Sequence, residues 1–203
     1  MTLPTCYSWS PVGERLSVRA EAPQGRRVNA VGAYFSHGPC AGEFQWACFA
    51  RIPERKGKRQ TLAQRAARHG LRAEEVAVIN SDQFLAFVWK VAGRPEDAPA
   101  HWRRERPLVI ALDNYSVHTS DAVRAALPAL QAAGVQFWYL PSYSPELSAI
   151  EPVWGAVKHR KMRRRSFAVL AELKRAVELA LAQKAIALRA SRPLSDHFLA
   201  LAA

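Results

Sequence analysis

The chain has 203 residues, 49% hydrophobic and 23% charged, enough for one domain with a packed core and too apolar for a disordered tail, a collagen-like repeat or a coiled coil. Its 29 Lys and Arg against 17 Asp and Glu give a net charge of +12 and a pI near 10.3, which draws it towards a polyanion, nucleic acid first. No apolar run approaches the ~20 residues of a membrane span, and Met1-Thr2-Leu3-Pro4 has no export-signal pattern, so a soluble, cytoplasmic protein with no membrane partner is expected.

Cys6, Cys40 and Cys48 are odd in number and lack CxxC spacing, which suggests small core residues in a reducing compartment rather than disulfides or a zinc site. In chain order, strands are expected at residues 16–18, 27–35 and 44–49, separated by Pro23, Gly25, Gly38, Pro39 and Gly42, as an antiparallel meander. Residues 51–72 break that pattern with eight Lys and Arg against Glu54, a basic loop running into a short helix and part of an insertion at about 51–79. Phe84, Leu85, Val88 and Val91 recur at helical spacing behind a candidate cap, Ser81, and Gly93-Arg94-Pro95 closes the segment.

The run Leu108-Val109-Ile110-Ala111-Leu112 reads as a strand buried on both faces. A helix over 121–133 follows, capped by Ser120, ended by Gly134, and expected to kink or split at Pro128. Residues 135–140 make the next strand, so strand, helix and strand form a βαβ unit with parallel strands. The sheet is then mixed, antiparallel first and parallel later, in an α/β fold. Two helices end the chain, over about 148–162 and from Phe167 onward, the second with Leu170, Leu173, Val177 and Leu181 on one face.

Asp113 stands at the carboxyl end of the apolar strand, where open α/β sheets place ligands. Glu151 follows one helix and one strand later, which return the chain to the same edge. Paired carboxylates suit a hard divalent cation, and such sites serve phosphoryl transfer. Two simpler roles compete: Asp113-Asn114 can make an Asx turn, and Ser148 with Glu151 fits a helix capping box.

Three ordered blocks favour chemistry. Leu112-Asp113-Asn114-Tyr115-Ser116-Val117-His118, then Tyr139-Leu140-Pro141-Ser142-Tyr143-Ser144-Pro145-Glu146-Leu147, then Ile150-Glu151-Pro152-Val153-Trp154-Gly155-Ala156-Val157-Lys158 resemble the catalytic core of mariner-type DDE transposases, in their bacterial insertion-sequence branch. Residues 7–13 and 27–33 are also similar, so the resemblance runs from Tyr7 to about Lys161. It implies an RNase H-like catalytic domain over 1–165, a helical tail over 166–203, and Mg²⁺ or Mn²⁺ in a two-metal site that cuts and joins DNA at transposon ends and target. A homodimer is compatible with it.

By the same resemblance Asp113 and Glu151 are the second and third acids of the Asp-Asp-Glu triad, with Asn114 and His118 in supporting places. The family's usual Leu-Asn-Pro-Ile-Glu is Leu147-Ser148-Ala149-Ile150-Glu151 here. The first acid should precede the segment that residues 7–13 resemble, yet no Asp or Glu occurs before Glu14. A missing, central first strand and an inactive chain are therefore expected, in which Glu14, Glu43 and Asp82 are better read as turn, strand-start and helix-start residues than as substitutes. Lys158, Arg160, Lys161, Arg163, Arg164 and Arg165 form a cluster suited to the DNA backbone. Trp138, Tyr139 and Trp154 are expected in the core rather than as stacking platforms.

Overall fold

The computed structural model describes residues 11–13, 25–53, 60–162 and 167–191. The expected strand at 16–18, Cys6, Glu14, the basic residues of 55–59, and Arg163, Arg164 and Arg165 lie outside them.

β1 (Arg27–Tyr34) and β2 (Phe44–Arg51) pair antiparallel from Arg27↔Arg51 to Tyr34↔Phe44. The hairpin is closed by the Phe35 N–H donating to the Glu43 carbonyl and the Gly42 N–H to that of Phe35. β3 (Leu108–Leu112) and β4 (Val135–Tyr139) pair parallel, in register from Leu108↔Val135 to Leu112↔Tyr139. Antiparallel first and parallel later is the expected order. The ladder is not continuous, however: among the described residues the two pairs form separate two-stranded sheets.

Three apolar clusters hold these pieces. In the first, α2 (Ser81–Val91) and α3 (Asp121–Ala132) lay Phe84, Val88, Val123 and Leu130 over Leu112 and Val135. In the second, α4 (Glu151–Ala156) and α5 (Leu170–Ala190) set Val153, Ala180 and Leu181 against Phe44 and Cys48 of β2. Leu170 and Leu181 are buried and Leu173 and Val177 half-buried, as the helical spacing requires. The third cluster shows that the basic stretch is more than a soluble loop. There α1 (Leu62–Ala67), capped by Thr61, and the 3-10 turn Ala73–Glu75 bury Ala66, Leu71 and Val76 against Ala50, Leu170 and Ala171.

Five local expectations are corrected. α3 runs unbroken through Pro128, which lies on the exposed face of the helix, where water can serve the carbonyl the proline leaves without an N–H partner. Asn80, not Ser81, caps α2 by accepting from the Gln83 N–H. Ser81 Oγ instead pairs with Oγ of Ser120, the cap of α3, at 2.8 Å. β3 is not buried on both faces, since Val109 is 59% exposed and Trp138 of β4 68%. Helices cover only the Leu108, Ile110 and Leu112 face of this pair, so Trp138 is no core residue, whereas Tyr139 and Trp154 are packed as expected. Finally, the helix expected over 148–162 starts only at Glu151 and is two elements, α4 and a π-helical turn at Val157–Lys161, behind a 3-10 turn at Pro145–Leu147.

Candidate active site

The loop after β3 carries Asp113, Asn114, Tyr115 and His118. Asp113 Oδ1 accepts the Tyr115 N–H at 3.2 Å, so the Asx turn is real and ends the strand. The same oxygen lies 2.8 Å from His118 Nδ1, which is also 3.3 Å from the Asp113 carbonyl. With two acceptors around it, Nδ1 is the donor. His118 is itself held: its ring lies against Phe84 with centroids 4.5 Å apart, and its carbonyl accepts the Tyr139 hydroxyl at 2.9 Å. Turn and chemistry are compatible, because among the described residues only Oδ1 is engaged and the Asp113 side chain is 66% exposed.

Asn114 links this loop to the next. Its Nδ2 donates to the Leu140 carbonyl at 2.9 Å, while the Leu140 N–H donates to the Leu112 carbonyl at 2.8 Å. Residues 141–150 therefore leave from beside Asp113 and lead into α4, whose first residue is Glu151. The capping-box alternative is not realised, since α4 has no side-chain cap and its N-cap position is Ile150. Ser148 contributes only its carbonyl, which accepts the Glu151 N–H at 3.0 Å. Glu151 is exposed, and none of the described residues pairs with its carboxylate.

Asp113, His118 and Glu151 line one cavity of about 1490 Å³, above the roughly 300–1,000 Å³ of a small-molecule pocket. Residues 28–35 and 107–113 also line it, in unbroken succession, as strands do when they present an edge and not a face. Among the described residues β1 has β2 as its one neighbour and β3 has β4. Neither Glu43 nor Asp82 borders the cavity, and Asp82 lies in the first turn of α2, where a negative charge suits the helix dipole.

The donor set suits a hard cation: one free oxygen of Asp113 and the two of Glu151. Mg²⁺ is commonly held through one or two carboxylates, with water and substrate phosphate completing its shell. Among the described residues no group of three or more His, Cys, Asp and Glu side chains converges. Just beyond α4, Lys158, Arg160 and Lys161 are all exposed on the π-helical turn, with Val157 buried beneath it. Sequence reasoning missed the link from Asn114 to Leu140 and two exposed tyrosines, Tyr115 and Tyr143; the proline-flanked Pro141-Ser142-Tyr143-Ser144-Pro145 was the signal for the second.

In this α/β protein Asp113, on the loop after β3, and Glu151, at the start of α4, border one cavity together with Glu105, and exposed cations follow Glu151. Compared with known families, residues 48–174 match the DDE superfamily endonuclease, a span that holds both acids and most of the described fold. The chain belongs to this family, whose enzymes act on DNA and generally use divalent metals. No curated protein matches the chain. Among the described residues no helix is long and apolar enough to cross a membrane.

Proposed function

We propose that the chain is the RNase H-like catalytic domain of a mariner-type insertion-sequence transposase, inactive in this form. The observation that carries the reading is that Asp113 and Glu151, from two of the blocks that the resemblance picks out, line one cavity. Asp113 and Glu151 would hold Mg²⁺ or Mn²⁺, which when bound polarises a phosphodiester and activates the attacking oxygen. His118 fixes the Asp113 carboxylate so that its second oxygen stays available. Asn114 fixes the spacing between the acid-bearing loops. Lys158, Arg160 and Lys161 bind backbone phosphates and orient the strand, a contact that carries no sequence preference. Arg163, Arg164 and Arg165 extend this cluster in sequence.

Inactivity rests on the resemblance, which places the first acid on a further strand of the sheet. Glu105, Asp113 and Glu151 border the cavity, and among the described residues β1 has β2 as its one strand neighbour and β3 has β4. The purified chain should bind duplex DNA with an affinity that falls steeply with salt, and should show no Mg²⁺- or Mn²⁺-dependent cleavage. Robust cleavage abolished by Asp113→Asn would overturn the inactive state. Full DNA affinity in Asp113→Asn and Glu151→Gln, with no dependence on metal, would instead mark a non-catalytic DNA-binding protein derived from a transposase.

A further inference from the structure

We propose that Arg27 and Arg51, which face each other at the open end of the β1–β2 hairpin, hold a stretch of DNA backbone at the cavity that Asp113 and Glu151 share; the inference rests on DNA being the substrate. The two arginines are register partners in the antiparallel pair, so their side chains leave the same face with Cβ atoms about 5 Å apart. Both are exposed, and Arg51 lines the cavity together with both acids. Like charges directly opposite each other weaken a strand pair. A phosphate chain lying across them turns that repulsion into two contacts.

Other arginines are tied into the fold. Arg72 pairs with Glu74 and Glu75, Arg124 with Asp121 and the Thr119 carbonyl, and Arg104 donates to the carbonyls of Ala92 and Arg106. Among the described residues no carboxylate or carbonyl takes up the guanidinium of Arg27 or Arg51 in this way. Both keep their donors for a ligand.

The same end of the hairpin is linked to the Asp113 loop through α2. The carbonyl of Ala50, next to Arg51, accepts the Ala77 N–H. Three residues on, Asn80 caps α2, whose Ser81 pairs with Ser120 and whose Phe84 ring lies on His118, the residue that holds Asp113. Arg103 and Arg106 also line the cavity, but they precede β3, which puts about 16 Å of strand between them and Asp113, and Glu105 stands between them in the chain. A guanidinium grips a phosphate through two parallel N–H donors, so two of them side by side suit neighbouring phosphates of one strand.

The test measures how binding of the whole chain to a fully paired duplex depends on salt. Arg27→Gln and Arg51→Gln should each lower the slope of log K against log salt concentration by about 0.9, one phosphate contact apiece, and the double variant should lose both. Arg51→Lys, which keeps the charge, should keep the wild-type slope, as should Arg189→Gln, which removes an exposed cation from the last turn of α5. The Gln variants at 27 and 51 should melt at or above the wild-type temperature, since a repulsion is removed. A wild-type slope in the double variant, an equal fall with Arg189→Gln, or a clearly lower melting temperature at 27 or 51 overturns the inference and leaves the DNA reading intact. Failure of the wild type to bind duplex at low salt overturns the DNA reading, and this inference with it.

Discussion

Carboxylates gather at two places in this protein, and they are treated in opposite ways. At the junction of β2, the 3-10 turn Ala73–Glu75 and α5, Lys174 is only 3% exposed. It donates to Glu75 at 3.1 Å and contacts Glu178 one turn along α5. Burial alone would lower the Lys174 pKa, but its hydrogen bonds to Glu178 and Glu75 outweigh that and raise it. Glu75 is pulled down to about 2, first by the Arg72 backbone N–H and also by Lys174. Beside them burial pushes the Cys48 thiol up to about 11, with Glu178 adding to the rise. At the cavity, by contrast, Glu151 has no described partner and Asp113 keeps one oxygen free. Where charge serves the fold it is paired and shielded; where it faces the cavity it is left with unused acceptors.

The comparison breaks most visibly at Lys174. Lys174→Met should destabilise the fold by about 3 kcal/mol in urea unfolding, because two carboxylates lose their shared cation; a change under about 0.5 kcal/mol would put the ion cluster among surface pairs of little consequence. A smaller effect concerns pH. Because the Glu75 pKa falls on folding from the usual 4.5 to about 2, its stabilisation is complete above about 4.5 and is lost as pH drops towards 2. Melting temperatures of the wild type and Glu75→Gln should therefore differ most near neutrality and converge below pH 4.5; a gap that widens with acid contradicts this. The smallest effect is expected at the open site, where Asp113→Asn and Glu151→Gln should each shift stability by no more than about 0.5 kcal/mol. Both are exposed, and neither is a helix cap. A loss of 2 kcal/mol in either would show that it is structural, like Glu75.

How far the sequence carried depended on whether a residue's environment was local. The alternation and turn residues of β1 and β2, the apolar run of β3, and Ser120 and Gly134 at the ends of α3 act through near neighbours, and these elements form within a residue or two of expectation. Ser148 misled because it has the chemistry of a cap, whereas Leu147 closes a 3-10 turn and pushes the start of α4 on to Glu151. Lys174 gave no signal, since nothing in the spacing of α5 reveals that Glu75, 99 positions earlier, will meet it. Asp113, Glu151 and His118 stand out in the sequence because they fall in recognisable blocks, and all three line the cavity. That β3 is exposed on one face, and that β1 and β3 each have one strand neighbour among the described residues, depends on what else packs there, which the apolarity of a strand does not encode.

The central claim of the proposal is that Asp113 and Glu151 jointly hold a divalent cation beside bound DNA. Titration of the chain with Mn²⁺ in the presence of duplex DNA, followed by electron paramagnetic resonance of the free ion, tests it most directly. The wild type should deplete free Mn²⁺ beyond DNA alone, and Asp113→Asn and Glu151→Gln should each remove that excess while remaining folded. Equal depletion by wild type and both variants would contradict the account.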